Sequence, residues 1–191
     1  MCGIAGLIHR GKSSNVGSEL QKMLQALKHR GPDSTGYALY AENDGKNFIM
    51  RFKVGENVGE GSTSVNEDAS VYDERKKQVD HMLNELGANI IKDEKLTPYS
   101  FRYEMKFDKD LMEFSKKIES IESVEILSIG KSLELIKDLG DAREVSERYG
   151  LGDVTGTHAI GHARMATESG VDIKSAHPFW GYPFSDVSVV H

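Results

Sequence analysis

Apolar positions along this chain follow two periods, and the switches between them mark its elements. Residues 3–9 alternate small and apolar side chains, and Ile4-Ala5-Gly6-Leu7-Ile8 suits a first strand. From Ser18 the spacing lengthens. Leu20, Met23, Leu24 and Leu27 fall at i, i+3, i+4 and i+7, which predicts a helix over 18–30. Ser18 with Gln21 resembles a capping box at its start. Arg30-Gly31-Pro32-Asp33 ends it, because the residue before a proline avoids helical geometry. Period two returns over 36–41 and 48–52, with Asn43-Asp44-Gly45-Lys46 as a hairpin turn between them.

Residues 53–69 then turn rich in Gly, Glu, Asn and Ser and read as a linker. The glycines at 55–61 do not make a phosphate loop, which needs a preceding strand and a lysine after the last glycine; Glu56 and Glu60 stand there instead. Residues 70–137 carry their own pattern. Helices are predicted at 73–86 (Val79, Met82, Leu83, Leu86) and 109–120 (Leu111, Met112, Phe114, Ile118), with strands at 88–92, 99–107 and 124–129. With 69–72 as a candidate leading strand, this is the layout of an inserted ferredoxin-like α/β module. Residues 133–139 and 142–149 read as helices, so 138–153 is expected to be a helical return with Gly140 and Gly150 near its caps. The first domain resumes from 154, with a strand of small residues over 157–164.

Charge and composition narrow the setting. Twenty-four basic against 30 acidic residues give a formal charge of −6, which disfavours nucleic acid as a partner. No apolar run approaches the roughly 18 residues of a membrane span, and the N-terminus lacks a signal-peptide layout, so no membrane association is expected. One cysteine cannot form an internal disulfide, which fits a cytoplasmic protein. The last residues, Asp186-Val187-Ser188-Val189-Val190-His191, read as a buried strand with no turn after it, the pattern expected of a C-terminally truncated fragment.

That one cysteine, Cys2, follows the initiator methionine in Met1-Cys2-Gly3-Ile4-Ala5-Gly6. Removal of Met1 would give one residue a thiol and a free α-amine. Such groups ordinarily titrate near ~8.5 and ~7.7–8.0, so the amine can take the thiol's proton. Cys2 is therefore a candidate nucleophile carrying its own base. His158 and His162 stand four apart, a zinc-ligand spacing on a helix, but Gly156, Ile160 and Gly161 argue for a strand, and no metal site is expected.

Four landmarks stand in order: Cys2-Gly3-Ile4-Ala5-Gly6; Arg30-Gly31-Pro32-Asp33-Ser34-Thr35-Gly36; His162-Ala163-Arg164-Met165-Ala166-Thr167; and Ala176-His177-Pro178-Phe179. In this the chain resembles the class II glutamine amidotransferases, over residues 1–52 and 154–191. The resemblance implies an α+β fold, an N-terminal-nucleophile αββα sandwich, here incomplete at the C-terminus. It implies that Cys2 attacks the side-chain amide of glutamine, that Arg164 grips the substrate α-carboxylate, that Thr167 and His177 line the pocket, and that Gly3 and Arg30 support the nucleophile's loop. Met165 and Glu168 depart from the residues many relatives carry.

Ammonia from glutamine would pass to a synthase partner. The short hairpin, the long insertion and His177-Pro178-Phe179-Trp180 are most similar to stand-alone subunits of the glutamate-synthase and N-methylglutamate-synthase group. No cofactor is expected in this chain, although a synthase partner could carry FMN or iron–sulfur clusters. The alternatives are the glutaminase domain of an asparagine synthetase or of another class II amidotransferase, or a non-catalytic regulatory subunit. The family's oxyanion-hole Asn-Gly follows a Val-His, so the 191 residues alone are expected to be inactive.

Overall fold

The computed structural model describes residues 2–31, 33–42, 45–55, 69–165 and 173–191. In chain order its elements are β1 (Gly3–Ile8), α1 (Val16–Ala26), β2 (Ser34–Ala41), β3 (Phe48–Val54), α2 (Ala69–Glu85), β4 (Asn89–Lys95) and β5 (Ser100–Lys106). There follow α3 (Leu111–Glu119), β6 (Val124–Gly130), β7 (Leu133–Leu139), α4 (Ala142–Arg148), β8 (Gly156–Arg164), β9 (Phe179–Trp180) and β10 (Ser188–Val189). The sheets are antiparallel, and the fold is α+β.

One sheet has the order β1-β8-β2-β7 and packs one face against α1 and α4. Leu20 and Leu24 of α1 are fully buried against Tyr37 and Leu39 of β2 and Ala159 of β8. Each such side chain contributes roughly 1.5–3 kcal/mol by leaving water. The helix can lie close because Gly161 has no side chain; a Cβ there would stand 2.6 Å from Leu24 Cδ1. The cap is Asn15, whose Oδ1 accepts from the Ser18 N–H at 2.9 Å, so the helix starts before the expected Ser18. Its predicted end is a separate 3-10 turn, Lys28–Arg30. A capping box does occur, at α4, between Asp141 and Glu144.

The second sheet has the order β4-β5-β3-β6 and packs one face against α2 and α3. Val79, Leu83, Phe114 and Ile118 from the helices meet Met50, Phe52, Phe101, Tyr103 and Met105. Three sequence expectations are corrected here. The segment 48–52 does not extend the first sheet; as β3 it pairs with β5 and β6 and is an inner strand of the second. The unit is therefore β3-α2-β4-β5-α3-β6, and 69–72 opens α2 rather than forming a strand. The segment 133–139 is not helical. It is β7, paired along its length with β2, and all seven of its residues are buried.

The sheets are joined at the β6–β7 turn and meet across a polar seam. Arg51 of β3 and Arg102 of β5 both hold Glu134 of β7, with Nε–Oε2 distances of 2.8 Å each. Arg102 also donates from Nη1 to Glu94 at 2.7 Å. Burial pushes the Glu134 carboxyl up, but Arg51 and Arg102 outweigh it and hold it down at about 2. Further along β7, fully buried Asp138 accepts from Tyr99 Oη (2.8 Å) and Tyr149 Oη (2.9 Å) and pairs with Arg148 Nη1 at 3.0 Å.

The C-terminal segment is a short β9–β10 hairpin rather than a buried strand, and Val187 and Val189 are exposed. It is clasped by Asp186, which accepts from the amides of Lys131, Ser132 and Leu133 at 3.1, 2.7 and 2.8 Å. Burial opposes ionisation of Asp186, but these donors prevail and keep its carboxyl below the usual range.

Candidate functional site

Side chains alternate across a strand, and the alternation sorts the first sheet into two faces. Ala5, Leu7 and Ala159 turn toward α1. Ile4, His162 and Arg164 belong to the opposite face. The register pairs Ile4 with His162 and Gly3 with Ala163, so Cys2 and Arg164, each one residue further, lie at the same end of the sheet. On the other flank β2 pairs Ser34 with Arg164 and Gly36 with His162. Cys2 is exposed and Arg164 half-buried.

The turn after α1 is fastened to this end of β8. The Asp33 N–H donates to the Arg164 carbonyl at 3.1 Å. A Cβ on Gly31 would stand 2.6 Å from the Ala163 carbonyl carbon, so only glycine lets the two backbones approach. Arg30 closes the 3-10 turn just before this contact with its side chain exposed. Gly3 is buried, and a Cβ on it would press on Leu27 at 3.0 Å, so it lets β1 pass close under the end of α1.

His177 arrives from the other side. Its carbonyl lies against Gly36, where a Cβ would collide with it and stand 2.7 Å from Pro178 Cδ. The His177 ring lies 5.1 Å from the His162 ring, tilted by 35°, and packs edge-on against Phe179 at 4.5 Å. Its Nδ1 accepts from the His191 N–H at 3.0 Å, which assigns the proton of the neutral ring to Nε2. Arg164 Nη1 donates to Ser175 Oγ at 2.7 Å, so the guanidinium is steadied from the segment that leads to His177.

Burial, reinforced by the positive charge available on His177, Arg164 and His191, pushes the His162 imidazole down to about 4. His177 is also lowered, by burial first and then by His191, Lys137 and Arg164. Both are neutral rings near pH 7.

Of the residues expected in the site, Cys2, Gly3, Arg164 and His177 come together at one end of the first sheet. Arg30 lies next to them on the adjoining turn. Thr167 lies outside the described residues. Ser34, Gly36 and His162 stand in the landmark motifs but carried no assigned role in the site, and Ser175 stands in none of them. Strand alternation is the signal for His162, since a residue two before Arg164 shares its face. Among the described residues no three His, Cys, Asp or Glu side chains are grouped to hold a metal, and no helix is long and apolar enough to cross a membrane.

Residues 1–56 match the family model described as a glutamine amidotransferase domain. The whole chain is 37% identical, over 199 residues, to a Methanothermobacter thermautotrophicus protein named as a candidate glutamine amidotransferase. It is 30% identical over 196 residues to the glutamine amidotransferase-like protein GlxB of Rhizobium meliloti. The chain spans 60% and 58% of the lengths of these two relatives. A shorter stretch of 77 residues, 39% of this chain and 13% of the other, is 35% identical to a glutamine–fructose-6-phosphate aminotransferase of Methanococcus maripaludis. Over these stretches the chain is similar to glutamine amidotransferases.

Proposed function

We propose that this chain is a class II glutaminase subunit that opens glutamine through an N-terminal cysteine thioester and supplies ammonia to a glutamate-synthase-like partner. The observation that carries the reading is the register that pairs Gly3 with Ala163 and so brings the ends of β1 and β8, next to Cys2 and Arg164, to one edge of the sheet, with the His177 ring over His162. Once Met1 is removed, the Cys2 thiolate attacks the side-chain amide carbon and the α-amine carries the thiol proton to the departing ammonia. Water then opens the glutamyl thioester to glutamate. Arg164 suits the α-carboxylate because a planar guanidinium offers two parallel donors. Arg30 would brace the loop carrying Cys2, and Thr167 would join His177 in lining the pocket.

The arrangement β1-β8-β2-β7 with α1 and α4 on one face supports half of an N-terminal-nucleophile sandwich. The β3-α2-β4-β5-α3-β6 unit, ordered β4-β5-β3-β6, supports a ferredoxin-like module, which we assign to partner docking. The chain itself would need no cofactor; FMN or iron–sulfur chemistry would belong to the synthase. The reaction is cytoplasmic in this reading.

The test uses the protein as its host makes it. An electrophilic diazo-ketone analogue of glutamine should add once, at Cys2, by intact-mass and peptide analysis, and glutamine should compete. Ammonia release should disappear in Cys2→Ala, which should still bind glutamine. Labelling elsewhere, or undiminished ammonia release by Cys2→Ala, would remove Cys2 from the mechanism.

A further inference from the structure

Two polar side chains beside Cys2 and Arg164 are buried in a way the proposed chemistry does not use. His162 is 2% exposed, and neither ring nitrogen has a hydrogen-bond partner among the described residues. Ser34 is 1% exposed, and its Oγ is likewise without a partner there. Burying such groups unmatched costs stability that an apolar residue of similar shape would avoid, so they mark a place where something polar is met.

Their positions are coupled by the register. Ser34 is opposite Arg164, while His162 is two residues before Arg164 on the same face, so the two are diagonal neighbours on adjacent strands. His162 is also opposite Gly36, the glycine whose missing side chain lets His177 reach the sheet. The His177 ring therefore settles against the His162 ring, 5.1 Å away, with its own Nδ1 tied to the His191 amide.

We infer that His162 is a positioning residue that sets the His177 ring and, with Ser34, forms the polar floor of the glutamine pocket. This rests on the reading of the site as a glutaminase. As a neutral ring His162 offers one donor and one acceptor, and the Ser34 hydroxyl offers both. Neither side chain needs to touch the reacting amide. Their work is to hold His177 and to match the polar groups of glutamine or of a bridging water, as buried polar sites of this kind do.

The test replaces His162 with phenylalanine, which keeps shape and removes both nitrogens. His162→Phe should melt at or above the temperature of the parent protein, while KM for glutamine rises about tenfold and kcat changes less. His162→Gln, which restores a donor and an acceptor, should recover part of the loss, and Ser34→Ala should raise KM a few-fold. The double variant His162→Phe/His177→Ala should lose less than the product of the two single losses, because His162 acts in part through His177. Nitrogen-15 imidazole spectra give a readout independent of turnover: the Nε2–H form of His177 should be single in the parent and averaged in His162→Phe. An unchanged KM, multiplicative losses in the double variant, or an unaltered His177 spectrum would overturn the assignment. If Cys2→Ala protein bound no glutamine while the His177 spectrum still responded to His162→Phe, the glutaminase reading would be the one to fail.

Discussion

At Gly36 the space of one methyl group decides whether His177 can lie on the sheet. A Cβ there meets the His177 carbonyl, which is backbone and cannot swing aside. Gly36→Ala should destabilise the protein by about 1–3 kcal/mol, as overpacking does, and raise KM for glutamine by displacing His177. Urea denaturation and steady-state kinetics check the two halves separately. Arg164→Lys keeps the charge but loses the two-donor fork, so its loss should fall mainly on KM, with a smaller effect on kcat. An unchanged KM would show that Arg164 does not hold the carboxylate.

The histidines also give a pH signature. His162 has a folded-state pKa of about 4 against an ordinary 6.5, and His177 and His158 are shifted the same way. The unfolded chain then takes up protons first as pH falls. Stability should be level above about pH 6.5 and decline toward pH 4. His162→Phe should flatten part of that slope in denaturation midpoints measured between pH 7 and 4.5. The candidate residues Cys2, Arg164 and His177 were legible because their chemistry is written in residue type and local order. The roles of Ser34, Gly36 and Ser175 were not, although Ser34 and Gly36 stand in a landmark motif, because those roles come from contacts between segments far apart in the chain.

Among the elements, β7 is the instructive misreading. Leu133, Ile136 and Leu139 stand at helical spacing, while in the strand Leu133, Leu135 and Leu139 line one face and Glu134, Ile136 and Asp138 the other. Both faces are buried, so no polar stripe advertises period two. Likewise β3 reads as a strand, but nothing local says which sheet it joins; that depends on pairing with β5 and β6, about 50 and 75 residues away. Glu134 is what β7 contributes to the seam. Glu134→Ala would leave Arg51 and Arg102 facing each other without their carboxylate, and should cost about 3–5 kcal/mol in urea denaturation. Because the Glu134 carboxyl is held at about 2, below its ordinary 4.5, its contribution is complete above about pH 4.5 and is lost as pH falls toward 2.

At the level of the whole molecule, the helix-bearing layers each have their own apolar core, and polar contacts join them. The inner position of β3 sets where the second layer can be cut. A piece spanning 46–131 contains β3 through β6 and should unfold cooperatively when heated, followed by circular dichroism. A piece spanning 68–138 lacks β3 and should not, because Met50 and Phe52 leave its core. Equal behaviour of the two pieces would mean that β3 is dispensable.

The Asp186 clasp has a mechanical consequence. One carboxylate ties three successive amides of the turn between the layers, five residues before the backbone N–H that holds His177. A tug on the second layer, as from a docked protein, would thus travel along a short tether to the rim of the pocket and bypass both apolar cores.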